Sequence, residues 1–212
     1  MSAPARVRVF LSGEGANELG SRAGHRAYQT DERPGVLHAL LARIQPDGWE
    51  VGGATAWAKI RKYRVQGAAH ADTGNVLGVA VDAIEAGCQI VAFSRDVDDD
   101  PDRARAVEDG IARVATELDA GRPDIIGGVA VPSTEGWILA LRGQHGTQRL
   151  STGRAVRALV DQGVEAKDGA RMAEIAAEAD LDAIPADAES LRTWIQRARD
   201  VLPRRVLAPF ER

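Results

Sequence analysis

Cysteine occurs once in the 212 residues, as Cys88. A single thiol excludes an internal disulfide framework and any zinc site built from cysteines, and it fits a reducing compartment. Its place, after Gly87 and before an apolar run, suits a small buried thiol better than a nucleophile. Histidine is also scarce, and His25, His38, His70 and His145 lack the close pairing of a histidine metal site, although His145 follows Glu135 closely enough to reach the same pocket. No apolar run approaches the roughly 20 residues needed to span a bilayer. The opening Met1-Ser2-Ala3-Pro4 passes into a strand-like segment without a secretory core, so a cytoplasmic protein without membrane contact is expected. There is no basic excess either. With a net charge of -4 and a pI near 5.6, any contact with nucleic acid needs a local basic patch or a bridging metal. A Walker lysine motif is missing, so the chain carries no P-loop ATPase of its own.

What is present belongs to an ordinary folded protein: 44% hydrophobic and 27% charged residues, enough for one sizeable core and a modest appendage. Residues 7–11 form a short β-prone run that breaks at Ser12-Gly13-Glu14-Gly15. Val36, Leu37, Leu40, Leu41 and Ile44 repeat with helical period between Pro34 and Pro46. Residues 49–51 read as a second short strand, and residues 59–64 as a basic connector. A helix over 73–86, a strand over 89–93, an acidic loop over 94–101 and an amphipathic helix from Ala104 to Leu118 follow in turn. A strand over 125–131, broken by Pro132, precedes a short apolar helix opening at Glu135. Such alternation predicts an α/β fold with a mainly parallel sheet of about four strands flanked by helices. Beyond residue 150 the pattern is helical only, over 151–164, 168–179 and 186–202. We therefore divide the chain into an α/β domain, residues 1–150, and a C-terminal helical extension, residues 151–212, packed on it.

Ligands of open α/β sheets collect beyond the carboxyl ends of the strands. Glu14 and the cluster beginning at Asp96 both follow predicted strands. The Asp96-x-Asp98 spacing suits chelation of Mg²⁺ or Mn²⁺ by hard oxygens. The competing reading is that residues 98–100 favour the start of the next helix through capping and its dipole, which explains Asp96 least well. Glu18 reads equally as a surface residue of the first helix, and Glu135 as a cap for the helix entering Trp137. Candidate cations for an anionic ligand are Lys59, Arg61, Lys62 and Arg64 in the connector, Arg95 beside the acidic loop and Lys167 in the tail. Trp49, Trp57, Trp137 and Trp194 are expected to fill core contacts rather than to stack on bases.

A strand ending in Gly-Glu-Gly-x-x-Glu (Gly13 to Glu18), followed later by a strand and Asp-x-Asp (Asp96, Asp98), resembles the signature of Toprim domains. The run Pro132-Ser133-Thr134-Glu135-Gly136-Trp137-Ile138-Leu139 is similar to a segment of small stand-alone Toprim-like proteins related to the OLD-type nucleases. The likeness continues through Lys167, Asp180-Leu181-Asp182 and the final helix, and so covers nearly the whole chain. It implies a Rossmann-like Toprim fold in which Glu14, Asp96 and Asp98 coordinate Mg²⁺ or Mn²⁺. Glu18 and Glu135 would then support the acidic pocket, and Lys167 would be a catalytic position in the tail. The activity implied is that of a metal-dependent phosphodiesterase or nuclease on DNA or RNA, working with a separately encoded ATPase. Topoisomerase action would need a nucleophilic tyrosine and strand-passage domains, and Tyr28 and Tyr63 sit in no such setting. Arg95 departs from the pattern by placing a cation directly before Asp96. A second function class follows from that, a noncatalytic binding or scaffold subunit of a larger complex.

Overall fold

A computed structural model describes residues 6–24, 33–61, 63, 67, 70–98, 100–118, 121–165 and 167–208. Lys62, Arg64, His25 and Tyr28 lie outside the described residues. Four parallel strands form one sheet in the order β2-β1-β3-β5, namely β1 (Val7–Gly13), β2 (Trp49–Ala56), β3 (Ile90–Phe93) and β5 (Asp124–Ile126). A second, two-stranded parallel sheet pairs β4 (Arg95–Asp96) with β6 (Val129–Ala130). The expected α/β class with a four-stranded parallel sheet is thus observed.

Side chains alternate across a strand, and here the alternation divides the core in two. Val7, Val9, Leu11, Ile90, Ala92 and Ile126 join a cluster on one face. Phe10, Val91 and Phe93 join a cluster on the other face. The first face is covered by α2 (Val36–Ile44), α5 (Thr134–Leu141), α6 (Thr152–Asp161), α7 (Gly169–Glu178) and α8 (Glu189–Leu207). The second face is covered by α3 (Ala71–Glu85) and α4 (Arg103–Glu117). A short α1 (Ala16–Leu19) closes the turn after β1. Both faces are buried, so β3 is apolar throughout and β1 is so from Val9 to Leu11.

Several boundaries differ from the sequence reading, each for a physical reason. The second strand is longer than 49–51 because pairing with β1 resumes at Gly53, opposite Phe10, after Gly52 is left out of the register as a bulge; a Cβ on Gly53 would stand 2.7 Å from the Phe10 ring. The strand expected over 125–131 is two strands, β5 and β6, separated at Gly127-Gly128. Gly127 lies so close to the Phe93 ring that a side chain there would collide with it. The start of the acidic loop is itself a strand, since Arg95 and Asp96 pair with Val129 and Ala130. The last helix runs past Leu202 and carries Pro203 inside it. Proline removes one backbone donor there, while the helix beyond it still packs Val206 beside Gly48.

Residues beyond 150 share the first core cluster with the strands, through Leu159, Met172, Ile175, Leu191, Trp194, Ile195 and Leu202. Trp194 is fully buried, stands 6.0 Å from Trp137 between ring centroids, and donates its indole N–H to the Phe93 carbonyl at 2.8 Å. Truncation of a buried tryptophan removes both the packing and a partner for that carbonyl. Trp194→Ala is expected to lower the unfolding free energy by about 3–5 kcal/mol, and urea denaturation should still show one transition. Two separated transitions in the wild type would show that the tail folds as a unit of its own.

Candidate functional site

The strand order reverses direction between β1 and β3. At such a switch point the two following loops diverge and leave a crevice at the carboxyl ends of the strands. Glu14 follows β1 and Asp96 lies in β4, just past β3. Ser12 and Ser94 sit on the adjacent strand ends, and both carry buried hydroxyls without a hydrogen-bond partner among the described residues.

One group of carboxyls gathers around Asp96. Asp96 Oδ1 accepts from the Thr134 N–H at 3.0 Å and the Thr134 hydroxyl at 3.1 Å. Glu18 is buried rather than on the surface, and its Oε2 accepts the Gly15 N–H at 2.8 Å. Gly13 makes that return fold possible, because a Cβ there would stand 2.5 Å from Glu18 Cβ. Glu135 is 9% exposed, accepts from Ser133 Oγ at 2.7 Å, and accepts from Asn17 Nδ2 at 3.4 Å. Asn17 thereby ties α1 to α5 above the strand ends. Burial, followed by the charges of Glu18 and Glu135, pushes the Asp96 carboxyl up to about 8; the Thr134 hydroxyl opposes the shift and Asp98 adds to it.

A second group is a charge network centred on Asp72, which is 3% exposed at the start of α3. Trp57 Nε1 and Asn75 Nδ2 donate to Asp72 Oδ1 at 2.9 and 3.1 Å. Asp72 Oδ2 faces Arg103 Nε at 3.2 Å and Arg95 Nε at 3.5 Å, ionic contacts without hydrogen-bond geometry. The Asp72 N–H donates to His70 Nδ1 at 3.1 Å, which leaves His70 Nε2 to donate to Asp100 Oδ2 at 2.9 Å. Arg95 lies over the Trp57 ring at 5.9 Å and pairs with Glu14. Its own pKa is drawn down by burial first and by Arg103 next. Arg103 donates to the carbonyls of Asp96 and Val97 at 2.7 and 3.1 Å, and pairs with Asp98 at 3.0 Å. Asp98 adopts φ 51, a left-handed conformation that aspartate tolerates better than most residues.

The residues singled out from sequence therefore separate. Asp96, Glu18 and Glu135 come together, with Asp98 nearby, whereas Glu14 turns its charge to Arg95. Lys167 is exposed, two residues before Gly169, where an added Cβ would stand 3.0 Å from the Ala16 carbonyl and 3.2 Å from Asn17. Lys59 is exposed on a 3₁₀ turn, and Arg61 pairs with Glu85 at 3.0 Å. His145 does not reach the pocket of Glu135; it is exposed beside Asp187. All four tryptophans are buried, and burial raises the Cys88 thiol. Asp72, His70 and Arg103 were missed, because a His-Ala-Asp step opening a helix has the sequence of an ordinary cap.

The donor set around Asp96 fits a hard divalent cation in oxygen type and in its crowded negative charge. Among the described residues, however, no three carboxylate, imidazole or thiolate side chains are placed to enclose one ion. Nor is any described helix long and apolar enough to cross a membrane. No family model, no curated protein and no solved structure matches this chain.

Two consequences can be measured. Above about pH 4 the unfolded chain releases the Asp96 proton, while the folded chain keeps it up to about 8. Stability is therefore lost as pH rises through that window, at up to about 1.4 kcal/mol per unit. Asp96→Asn keeps an acceptor for Thr134 and carries no charge. It should raise the melting temperature at pH 9 and leave it unchanged at pH 4; an equal gain at both values would contradict the assignment. Asp72→Asn leaves Arg95 and Arg103 beside one another without their shared counter-ion, and should cost about 3–5 kcal/mol in urea denaturation.

Proposed function

We propose that this chain is a metal-dependent phosphodiesterase of the Toprim kind, acting on DNA or RNA. The observation that carries the reading is the grouping of Glu18 and Glu135 with Asp96 at the switch point of the sheet, where burial first and the two neighbouring charges next raise the Asp96 carboxyl to about 8. A cation bound there would relieve the same repulsion. Asp96, Glu18 and Glu135 do not enclose an ion as they stand; they would supply oxygens to Mg²⁺ or Mn²⁺ after their side chains close on it, with Glu14 and Asp98 joining when they exchange their arginine partners. The ion, when bound, would lower the pKa of a water and offset charge on the phosphate.

The chain's own residues supply the rest. Thr134, donating twice to one oxygen of Asp96, fixes the carboxyl. Ser133 and Asn17 hold Glu135 in the same way. Arg95 and Arg103 are the cations closest to these carboxyls, and each could transfer from a carboxylate to a phosphate oxygen as substrate arrives. A cytoplasmic setting and a separately encoded ATPase partner belong to the same proposal.

A second reading rests on a specific observation. Glu14 and Asp98 are already neutralised by Arg95 and Arg103, as in a noncatalytic scaffold subunit whose carboxylates have become structural. The two readings separate on incubation with plasmid, single-stranded DNA and RNA in Mg²⁺ or Mn²⁺. Cleavage that disappears in Asp96→Ala and falls at least a hundredfold in Glu18→Ala and Glu14→Ala supports the phosphodiesterase. A Mn²⁺-dependent rise in melting temperature, absent in Asp96→Ala, should accompany it. Neither cleavage nor a thermal shift in the wild type, with or without a candidate ATPase, would leave the scaffold.

A further inference from the structure

The final helix α8 departs from the acidic character of the chain, carrying five arginines against two acids. Three of these arginines are spent in ion pairs on one side, Arg197 on Glu108 and both Arg204 and Arg205 on Asp124. The other side of the helix borders two adjoining cavities of about 340 and 360 Å³, which share Leu181, Asp182 and Arg199. Arg192 lines the first cavity and Arg43 the second.

These cations are compensated unequally. Arg199 pairs with Asp182 at 2.7 Å. Arg192 donates to the Ile184 carbonyl at 3.4 Å and Arg43 to the Ala179 carbonyl at 3.2 Å. Among the described residues neither Arg43 nor Arg192 is paired with a carboxylate. The groove thus holds two exposed guanidiniums whose charge the fold leaves unbalanced, in contrast to Arg61, Arg95 and Arg103, which are all paired.

The groove also has a direction. Ser190, at the start of α8, accepts from the Trp137 indole at 2.9 Å, two residues past Glu135. The Arg192 end therefore lies toward the carboxyl ends of the strands. The helix finishes with Val206 against Gly48, just before β2, so the Pro203 and Arg43 end lies toward the amino ends. Arg192 and Arg199 are about 10 Å apart along the axis, strung along the helix rather than clustered.

We infer that this groove is a track for the phosphodiester backbone of a single strand, entering or leaving the carboxylate site along α8. Guanidinium forks match phosphate oxygens, and a series of them along a helix follows a repeating anion. Thr193 and Gln196 add neutral hydrogen-bonding groups between the arginines, and the partly buried Leu181 and Ile44 offer apolar surface to base faces. The class of ligand rests on the phosphodiesterase reading, but the binding does not require cleavage. It also relocates the basic patch, which the sequence suggested over residues 59–64, to the tail.

The test is fluorescence anisotropy of fluorescein-labelled oligo(dT) in EDTA, across a series of KCl concentrations. The double variant Arg43→Ala/Arg192→Ala should bind at least tenfold more weakly than wild type at low salt. The slope of log Kd against log salt should also fall by about 1.4, since each phosphate contact on a single strand contributes about 0.7. Arg171→Ala, whose side chain pairs with Glu174 on α7, serves as the control and should change neither. An unchanged affinity and slope in the double variant would overturn the track. So would a labelled Glu-Leu repeat peptide that binds wild type and not the double variant while oligo(dT) binding is unaffected, because the groove would then belong to an acidic protein segment. Cleavage kept with an unchanged slope removes the track alone. Binding and slope as expected without any cleavage sustain the track and count against the phosphodiesterase.

Discussion

The end of the sheet where Glu14 and Asp96 lie depends on one buried carboxylate. Asp72 is the group through which Trp57, Asn75, His70, Arg95 and Arg103 are held together. A buried anion is costly unless its charge is matched and its lone pairs are filled. Here Oδ1 is filled by two neutral donors and Oδ2 faces two guanidiniums. The two arginines in turn hold other parts of the end in place. Arg95 fixes the loop after β1 by way of Glu14, and Arg103 fixes the loop after β4 through two backbone carbonyls and Asp98. Loops on opposite sides of the switch point are thereby referred to a single atom pair on α3.

That arrangement sets the electrostatics of the remaining carboxyls. The arginines near the strand ends are paired directly with Glu14, Asp72 and Asp98, while Asp96 feels Arg95 only as a weaker attraction without direct contact. Burial, followed by the charges of Glu18 and Glu135, favours the protonated form of Asp96. The same carboxyl is pinned between the β4–β6 pairing and two hydrogen bonds from Thr134. A fold that spends its arginines on some carboxylates and leaves others crowded has separated structural acids from reactive ones. The proposed chemistry draws on the crowded set, and the scaffold reading draws on the neutralised set.

Much of the fold was legible because it is written in periodicity. Apolar runs at 7–11 and 89–93 and helical spacing at Val36 to Ile44 and Ala104 to Leu118 depend only on which face is buried. Boundaries were less legible where a contact distant in sequence decided them. Nothing near Gly127 announces that the Phe93 ring occupies the space of its side chain and splits the strand, and the pairing of Arg95 with Val129 was invisible for the same reason. At the site, the acids themselves could be read, since carboxylates after strands carry a spacing. Their grouping could not. Whether Glu18 points outward or folds back depends on Gly13 having no Cβ, and Glu14 finds Arg95 only through the network on Asp72.

The tail has a part in this that its position in sequence conceals. Asp96 is three residues beyond Phe93, and the Phe93 carbonyl, the last of β3, accepts its side-chain hydrogen bond from Trp194 of α8. On the other side of the same cleft, Trp137 of α5 packs against Trp194 and donates to Ser190, while Glu135 extends from the first turn of α5. A helix from the C-terminal extension is thus wedged between the strand that delivers Asp96 and the helix that delivers Glu135. The two indoles, tilted by 56° with ring centroids 6.0 Å apart, thus help to set how far α5 stands from the end of β3. Loss of that wedge would let the like charges move apart, and the crowding that distinguishes Asp96 would relax even with every acidic residue still in place.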